Sequence, residues 1–486
     1  MKIFITSLLI IIALFSSSYS QTRNNGDTVS RIKNYLSEID KIGFSGSLLI
    51  ELNGEKIISK GFGYRNVERK LLNTPNTIFD IGSLTKQFTS AAILKLEMQG
   101  KLSTTNCITK YFDNVPEDKV NITIHDLLRH QSGLQSSIGG DYEPITKEEF
   151  ISKVMNSQLR FEAGKNFSYS NIGYSLLAII IEKVSGKSYE EFLYENLWHP
   201  AGMESTGYSR PNFDSNTIAT GYTSKDEPWG KPTDKPWNGD SPFWHLKGNG
   251  GILSTTEDLF KWHKALMTEN ILSNEAKQKL YHPELREGET NNPYYAYGWD
   301  VFQTERNTLR IWHNGTNNIF YSDFMRFIDE NTVLIMLSNK SHPNFDRMNF
   351  EIAKIIFNKD YEPTIPIADN ETNRKFTQDV IDDLIEKGLN AGIEKFKNKA
   401  NNTYVLEYKI NEKGYDLLSQ KKYDEAIRLF AMNVYAFPKS ANAYDSLGEG
   451  YLVKGDKKLA IENYKMSLEL DPDNENAKEI LKQLAE

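Results

Sequence analysis

Four residue pairs near the C-terminus recur at one spacing: Gly414 and Gly448, Ala426 and Ala460, Phe430 and Tyr464, and Pro438 and Pro472 each lie 34 apart. A fixed period of this length marks a supersecondary unit that cannot bury its apolar face alone and must stack on a neighbour. Gly392 and Phe396 sit 34 before Ala426 and Phe430, so a degenerate unit precedes the two clear ones. Small residues at a fixed offset let paired helices touch, the aromatic fills the second helix, and the proline ends the unit. The composition shift behind Pro363-Thr364-Ile365-Pro366, toward Glu, Lys, Leu, Ala and Tyr, agrees. An all-helical array is expected over residues 374–486, with 359–373 as its linker.

This period and residue pattern resemble those of the tetratricopeptide repeat, which implies a concave surface that takes a protein or an extended peptide. The array is a fraction of the chain. With 486 residues, 39% of them apolar and 12% aromatic, there is material for at least one further core. Fifty-seven basic side chains against 65 acidic ones leave a formal charge of −8, which argues against nucleic acid as a partner. The single cysteine, Cys107, cannot close an intramolecular disulfide or supply a multi-thiolate metal site.

At the N-terminus, Lys2 precedes the apolar run Ile3–Phe15, then Ser16-Ser17-Ser18-Tyr19-Ser20 and a polar stretch. The run is shorter than the roughly 18 residues a membrane-spanning helix needs, and its flanks are those of a secretory signal peptide. Residues 1–20 are therefore expected to be removed after Ser20. Export, to a periplasm or the exterior, follows. No later segment is apolar enough for stable membrane insertion.

Residues 27–358 mix two periodicities. Ser47–Leu52 and Lys56–Tyr64 read as a hairpin about Asn53-Gly54, a dipeptide that suits the left-handed conformations of a tight two-residue turn. Helices are expected over Ser83–Gln99, stopped by Gly100; over Ile124–His130, behind a Thr123/Asp126 capping box; and over Asn171–Val184 before Gly186. Ala296–Thr304, Leu309–His313, Ile319–Ile328 and Thr332–Ser338 are rich in aromatic and β-branched residues, so they read as strands of one antiparallel sheet. Phe345–Phe357 closes the region as an amphipathic helix. The expected class is α/β, in its α+β form: an antiparallel sheet flanked by helices.

Ser83-Leu84-Thr85-Lys86 places a hydroxyl and an amine three residues apart at a helix start, on one face and within one turn. A serine hydroxyl needs a neighbour to take its proton, and a lysine can do so only where burial or nearby positive charge keeps it neutral. The same spacing occurs at Ser30/Lys33 and Ser419/Lys422, but only Ser83 follows an apolar stretch, Ile78–Gly82, and opens a helix carrying Phe88, Ala91, Ala92 and Leu96. Tyr169-Ser170-Asn171 is a second cluster, although Tyr64/Asn66 and Tyr194/Asn196 match its spacing. His313-Asn314-Gly315 ends an apolar strand, where a glycine admits close backbone approach.

In this order, Ser-x-x-Lys, Tyr-x-Asn and His-x-Gly resemble the three active-site motifs of the serine β-lactamase-like and penicillin-binding-protein-like hydrolases, nearest to class C β-lactamases, D-stereospecific peptidases and related esterases. The resemblance runs over about Ile42–Phe357 and includes His125-Asp126-Leu127-Leu128-Arg129-His130-Gln131-Ser132-Gly133-Leu134, Pro200-Ala201-Gly202-Met203 and Gly250-Gly251-Ile252-Leu253-Ser254-Thr255. It implies an inserted all-helical lobe and no cofactor. It also implies Ser83 as nucleophile, Lys86 as its activating partner, Tyr169 as proton shuttle at the leaving group and Asn171 as a contact to the substrate amide. His313 and Gly315 would line the far wall, and the backbone N–H groups of Ser83 and Thr316 would form the oxyanion hole.

Two positions depart from the pattern. β-Lactamases of this kind usually carry lysine where this chain has His313, and an imidazole is only partly charged near neutral pH, so efficient β-lactam hydrolysis is not expected. Ala163 stands where relatives often have proline. A metal centre is disfavoured, because His125 and His130 are five apart and face different sides of a helix, and there is no His-Glu-x-x-His. Trp244 and Trp312 are expected beside the cleft. The substrate is read as a small molecule or short peptide, and the competing reading is a sensor or scaffold that acylates slowly or never.

Overall fold

The computed structural model describes residues 26–485 apart from 211, 224–225, 238–240, 287–293, 402 and 472–473; the expected signal peptide and Pro472 lie outside the described residues. The chain divides into two compact units, the first ending at Ile365 and the second beginning at Pro366.

The first unit is built on an eight-stranded antiparallel sheet. Its strands are β1 (Gly46–Leu52), β2 (Glu55–Phe62), β3 (Leu285–Arg286), β4 (Tyr294–Tyr295), β5 (Asp300–Gln303), β6 (Leu309–Thr316), β7 (Tyr321–Phe327) and β8 (Thr332–Ser338). They lie in the order β2-β1-β8-β7-β6-β5-β4-β3. The expected hairpin forms between β1 and β2, and its turn residues Asn53 and Gly54 both have positive φ, 52° and 84°. That backbone twist matches the twist of the flanking strands. The N-terminal strand then pairs with the C-terminal one, Leu49 opposite Ile335 and Ile50 opposite Leu334.

β1 and β8 are buried along their whole length, so each must be apolar on both faces. Leu48, Ile50, Leu334 and Met336 pack with Ile32, Tyr35, Leu36 and Ile39 from α1 (residues 26–41), and with Ile352 and Ile355 of the closing helix. Leu49, Val333, Ile335 and Leu337 face the other way, into the larger core that holds Phe88, Ala91 and Ala92 of α2 (Thr85–Met98) and the inserted helices. Alternating residues of one strand thus feed two separate cores.

Four expected boundaries shift. The helix expected from Ser83 begins as a 3₁₀ turn, Gly82–Leu84, which passes directly into α2. The strand expected from Ala296 begins only at Asp300, because Ala296–Trp299 is a turn closed by the Ala296 N–H to the Trp299 carbonyl, with Gly298 at φ +74°. The closing helix is broken into Pro343–Asp346 and Met348–Phe357. The capping box between Thr123 and Asp126 forms in both directions, and the helix it starts, Ile124–Leu128, ends before His130, which has φ +59°.

The second unit is all-helical over Glu371–Glu386, Leu389–Lys397, Glu407–Ser419, Tyr423–Ala436, Ala441–Lys454, Lys457–Leu470 and Glu475–Ala485. Gly414 lies against the ring of Phe430, and Gly448 against that of Tyr464; a β-carbon on Gly414 would come within 2.4 Å of that ring. The 34-residue period therefore places a small residue of one helix opposite an aromatic residue of the next. Ala426 and Ala460 are also fully buried.

Because Ile335 packs against β1 and the α2 side at once, Ile335→Ala should cost about 2–5 kcal/mol through lost transfer energy and the cavity left behind. The check is a lower urea midpoint for unfolding of the first unit with the slope unchanged.

Candidate active site

Ser83 sits in the 3₁₀ turn that leads into α2, and the turn is wedged against the end of β6. Gly82 has φ +49°, and a β-carbon there would lie 2.7 Å from the Thr316 nitrogen. A β-carbon on Gly315 would lie 2.6 Å from the Ser83 nitrogen. Only glycine at both positions allows the two backbones to touch. The Ser322 hydroxyl on β7 donates to the Ile81 carbonyl at 2.7 Å and fixes the same turn from below. The Ser83 and Thr316 backbones, far apart in sequence, are neighbours.

One turn into α2, Lys86 has no exposed surface. Its Nζ lies 3.0 Å from Ser83 Oγ, 2.8 Å from Asn171 Oδ1 and 2.9 Å from the Asn249 carbonyl oxygen. It also stands 4.7 Å from the centre of the Tyr169 ring. Burial holds the Lys86 amine well below the usual lysine range, and the Asp141 carboxyl opposes that shift only in part.

Tyr169 and Asn171 come from the segment that enters α3 (Asn171–Ser185). Ser170 caps that helix by accepting from the Gly173 N–H and donates to the Gln135 carbonyl at 2.7 Å; its own N–H donates to His130 Nδ1 at 3.0 Å. The His130 ring packs against Tyr169 with centroids 4.2 Å apart and the planes tilted by 38°. Burial depresses the His130 pKa well below its usual value, which keeps this ring neutral and acceptor-capable at Nδ1.

His313, from β6, points into the same space. Its Nδ1 faces the Asn314 carbonyl, which can only accept, so Nδ1 carries the proton and Nε2 accepts the Tyr295 hydroxyl at 3.0 Å. Burial is the chief cause that lowers its pKa to about 3. His313 is thus neutral near pH 7 rather than partly charged. Ser83, Tyr169, Tyr295, Asp300, Trp312, His313, Asn314, Gly315 and Thr316 together line an open cavity of about 350 Å³.

The structure therefore gathers Ser83, Lys86, Tyr169, Asn171, His313, Gly315 and Thr316 around one place. Trp312 lines the cavity; Trp244 does not, and sits instead beneath the ammonium groups of Lys147 and Lys247. Sequence reasoning missed Asn249, which reaches Lys86 only through its backbone and so has no side-chain signature, and Tyr295, which lies on a two-residue strand. It weighed His130 only as a metal ligand, whereas the ring supports Tyr169. Among the described residues no group of three or more His, Cys, Asp or Glu is arranged to hold a metal ion.

An antiparallel sheet with a Ser-x-x-Lys turn opening the helix packed upon it is the architecture of the serine hydrolases that include β-lactamases and penicillin-binding proteins. The chain belongs to the beta-lactamase family, whose model matches residues 38–355. It is 34% identical over 257 residues to the putative penicillin-binding protein PbpX of Bacillus subtilis, covering 53% of this chain and 63% of that protein. Penicillin-binding protein 4* of the same organism is 29% identical over 340 residues, 66% of this chain and 74% of its own length. The chain thus spans less than two thirds of PbpX. Among solved structures, the octameric penicillin-binding protein homologue from Pyrococcus abyssi superposes with a TM-score of 0.59 at 27% identity, covering 73% of this chain and 82% of that one.

The tautomer assigned to His313 has a direct check. Its imidazole should remain neutral and protonated at Nδ1 from pH 8 down to about pH 4.5, since its pKa lies near 3. Nitrogen-15 NMR, with the signal identified by its loss in His313→Gln, should show no titration over that range; a midpoint near 6.5 would place the ring in solvent.

Proposed function

We propose that this protein is an exported serine hydrolase that acts through a Ser83 acyl-enzyme on an ester, an amide or a D-amino-acid peptide, and that its C-terminal unit, read as tetratricopeptide repeats, holds a protein or peptide ligand. The observation that carries the catalytic reading is the surroundings of Lys86 Nζ. A neutral amine has two N–H groups and one lone pair. The Asn171 Oδ1 and the Asn249 carbonyl accept the two N–H bonds, and the lone pair is left facing Ser83 Oγ.

In acylation, Lys86 takes the Ser83 proton while Oγ attacks the substrate carbonyl carbon. The negative charge that develops on the carbonyl oxygen is met by the Ser83 and Thr316 N–H groups, aligned in advance by the glycine contacts. Tyr169 passes a proton to the departing oxygen or nitrogen, drawing on the proton Lys86 has gained, and the C–O or C–N bond breaks. Water then attacks the acyl-enzyme with the same groups working in reverse, and Ser83 regains its proton. Asn171 holds Lys86 through Oδ1, and in this reading its side-chain NH₂ is the group that meets a substrate amide carbonyl.

The cavity lining supports the choice among substrates. His313 is neutral, and Asp300 is the one acidic or basic side chain among the described lining residues, so nothing there attracts a substrate carboxylate. Tyr169, Tyr295 and Trp312 instead offer aromatic surface. Neutral acyl esters and amine-bearing amides fit this wall better than carboxylate-bearing β-lactams. Export is supported by the charged, apolar and small-residue order of residues 1–20. No described helix is long and apolar enough to cross a membrane.

Intact-mass spectrometry after treatment with a fluorophosphonate should show a single adduct, absent in Ser83→Ala and slowed about 100-fold or more in Lys86→Ala, the usual loss for an acid–base group. An adduct that survives Ser83→Ala moves the nucleophile elsewhere, and a wild-type protein that never acylates favours the scaffold reading. With matched substrates, a neutral short-chain ester should be turned over faster than a chromogenic cephalosporin. A kcat/KM for the cephalosporin on the order of 10⁶ M⁻¹s⁻¹ would overturn the reading of His313.

A further inference from the structure

Asp80 is 2% exposed and sits three residues before Ser83, yet the acylation chemistry above does not use it. Its two oxygens are spoken for separately. Oδ1 accepts the Gly82 N–H at 2.8 Å, and Oδ2 accepts the Asn317 side-chain amide at 3.0 Å. Gly82 is the residue immediately before Ser83, and Asn317 is the residue immediately after Thr316. One carboxylate therefore spans the two chain segments that supply the oxyanion donors. Behind it, Asp80 is fixed in a short ladder opposite Leu253, and the next residue donates its N–H to the Ile252 carbonyl at 2.9 Å. On the far arm, Asn317 Oδ1 accepts the N–H groups of Ile319 and Phe320, so its amide cannot swing away freely.

We propose that Asp80 is a positioning residue that clamps the Ser83 and Thr316 N–H groups at the separation a tetrahedral oxyanion requires, and that the clamp holds only while both carboxylate oxygens accept. The proposal rests on the Ser83 acyl-enzyme reading. Two N–H donors on two oxygens suit a carboxylate, whereas protonation turns one of those oxygens into a hydroxyl, a much poorer acceptor whose own proton needs a partner, and so weakens one arm. Burial works most strongly against ionisation and the Asp141 carboxyl adds to it, while the Gly82 and Asn317 donors favour the carboxylate and offset the shift only in part, so the Asp80 pKa rises to about 7. The Tyr142 and Tyr208 phenols also face this carboxyl, and both are held protonated by burial. The buried Lys86 amine, which interacts with Asp141, completes the titratable surroundings.

The sign of the linkage separates positioning from structural support. A carboxyl whose pKa is higher folded than unfolded makes the protein less stable as pH rises from about 4 to about 7, because the folded state holds the proton longer. Ionised Asp80 is thus a burden on stability at pH 8, accepted for the sake of the geometry. Asp80→Asn removes the burden and breaks the clamp, since the amide NH₂ would face the Asn317 NH₂, donor against donor.

The test uses the full-length protein. Wild type should bind phenylboronic acid, which forms a tetrahedral boronate on Ser83, and hydrolyse a nitrophenyl ester with an acid limb in kcat near pH 7. In Asp80→Asn the boronate affinity and kcat should both fall about 10- to 100-fold, below the loss of a whole oxyanion donor, with KM changed little. The acid limb near pH 7 should vanish, while the thermal midpoint at pH 8 stays level or rises. Asn317→Asp keeps the acceptor for Ile319 and Phe320 but removes the donor to Asp80, and it should reproduce the boronate loss. Unchanged boronate affinity and an unchanged acid limb in both variants overturn the proposal, as does a loss of activity that merely follows a lower thermal midpoint. Should wild type itself form neither boronate nor fluorophosphonate adduct, the acyl-enzyme reading fails, and the clamp fails with it; a wild type that acylates normally beside an indifferent Asp80→Asn removes the clamp alone.

Discussion

Keeping an ammonium in an interior without water costs several kcal/mol even after relaxation, and the alternative is to shed the proton. Lys86 faces that choice with no exposed surface. Its hydrogen-bond partners can serve the neutral form: two oxygens that can only accept, and one hydroxyl that can donate. The more thoroughly the surrounding helices exclude water, the better a base the lysine becomes. Packing and chemistry are the same requirement here, so Phe88, Ala91 and Ala92 of α2 act on the amine through the solvent they exclude.

A second constraint follows from the need to bring three remote segments to that amine. The Ser83 turn, the end of β6 and the turn before β5 all approach within van der Waals distance, and each approach is made at a glycine. Gly82 and Gly315 face each other across the first contact, and Gly298 rests on the Lys86 backbone, where a β-carbon would lie 2.9 Å from the carbonyl carbon. Any side chain there would push sheet and helix apart and open the amine to water. The sheet must therefore be rigid enough to hold its end still, which suits strands buried on both faces and fed into two cores.

Much of this was legible from the sequence, and the divisions are physical. Thr332–Ser338 was readable to the residue because a strand buried on both faces is an uninterrupted apolar run, and the β1–β2 hairpin because Asn53-Gly54 has few other uses. The Ser83/Lys86 pairing was readable because three residues on a helix start fix a side-chain separation. What escaped was whatever tertiary contact decides. The Asn249 carbonyl, the packing of His130 on Tyr169 and the pairing of Tyr295 with His313 are set by residues 18 or more positions away or by backbone atoms, and no local pattern announces them. The reduced length of β5 escaped for the same reason, since the turn at Gly298 is demanded by Lys86 and not by its own neighbours in sequence.

The charge state of the site links these pieces. Burial lowers the pKa of a base and raises that of an acid, so the same exclusion of water moves Lys86 downward and Asp80 upward, toward each other. The working combination requires a neutral amine beside Ser83 and an ionised carboxylate behind it. In water both conditions hold together only at strongly alkaline pH, above the lysine range. Inside this fold they hold together once the pH exceeds both shifted values, and Asp80 sets a lower bound near 7. His313 and His130, already neutral throughout that range, add no charge of their own as it is crossed. A dry site of this kind thus lowers the pH at which a neutral base is available at the expense of folding stability, which the two-sided core of the sheet offsets.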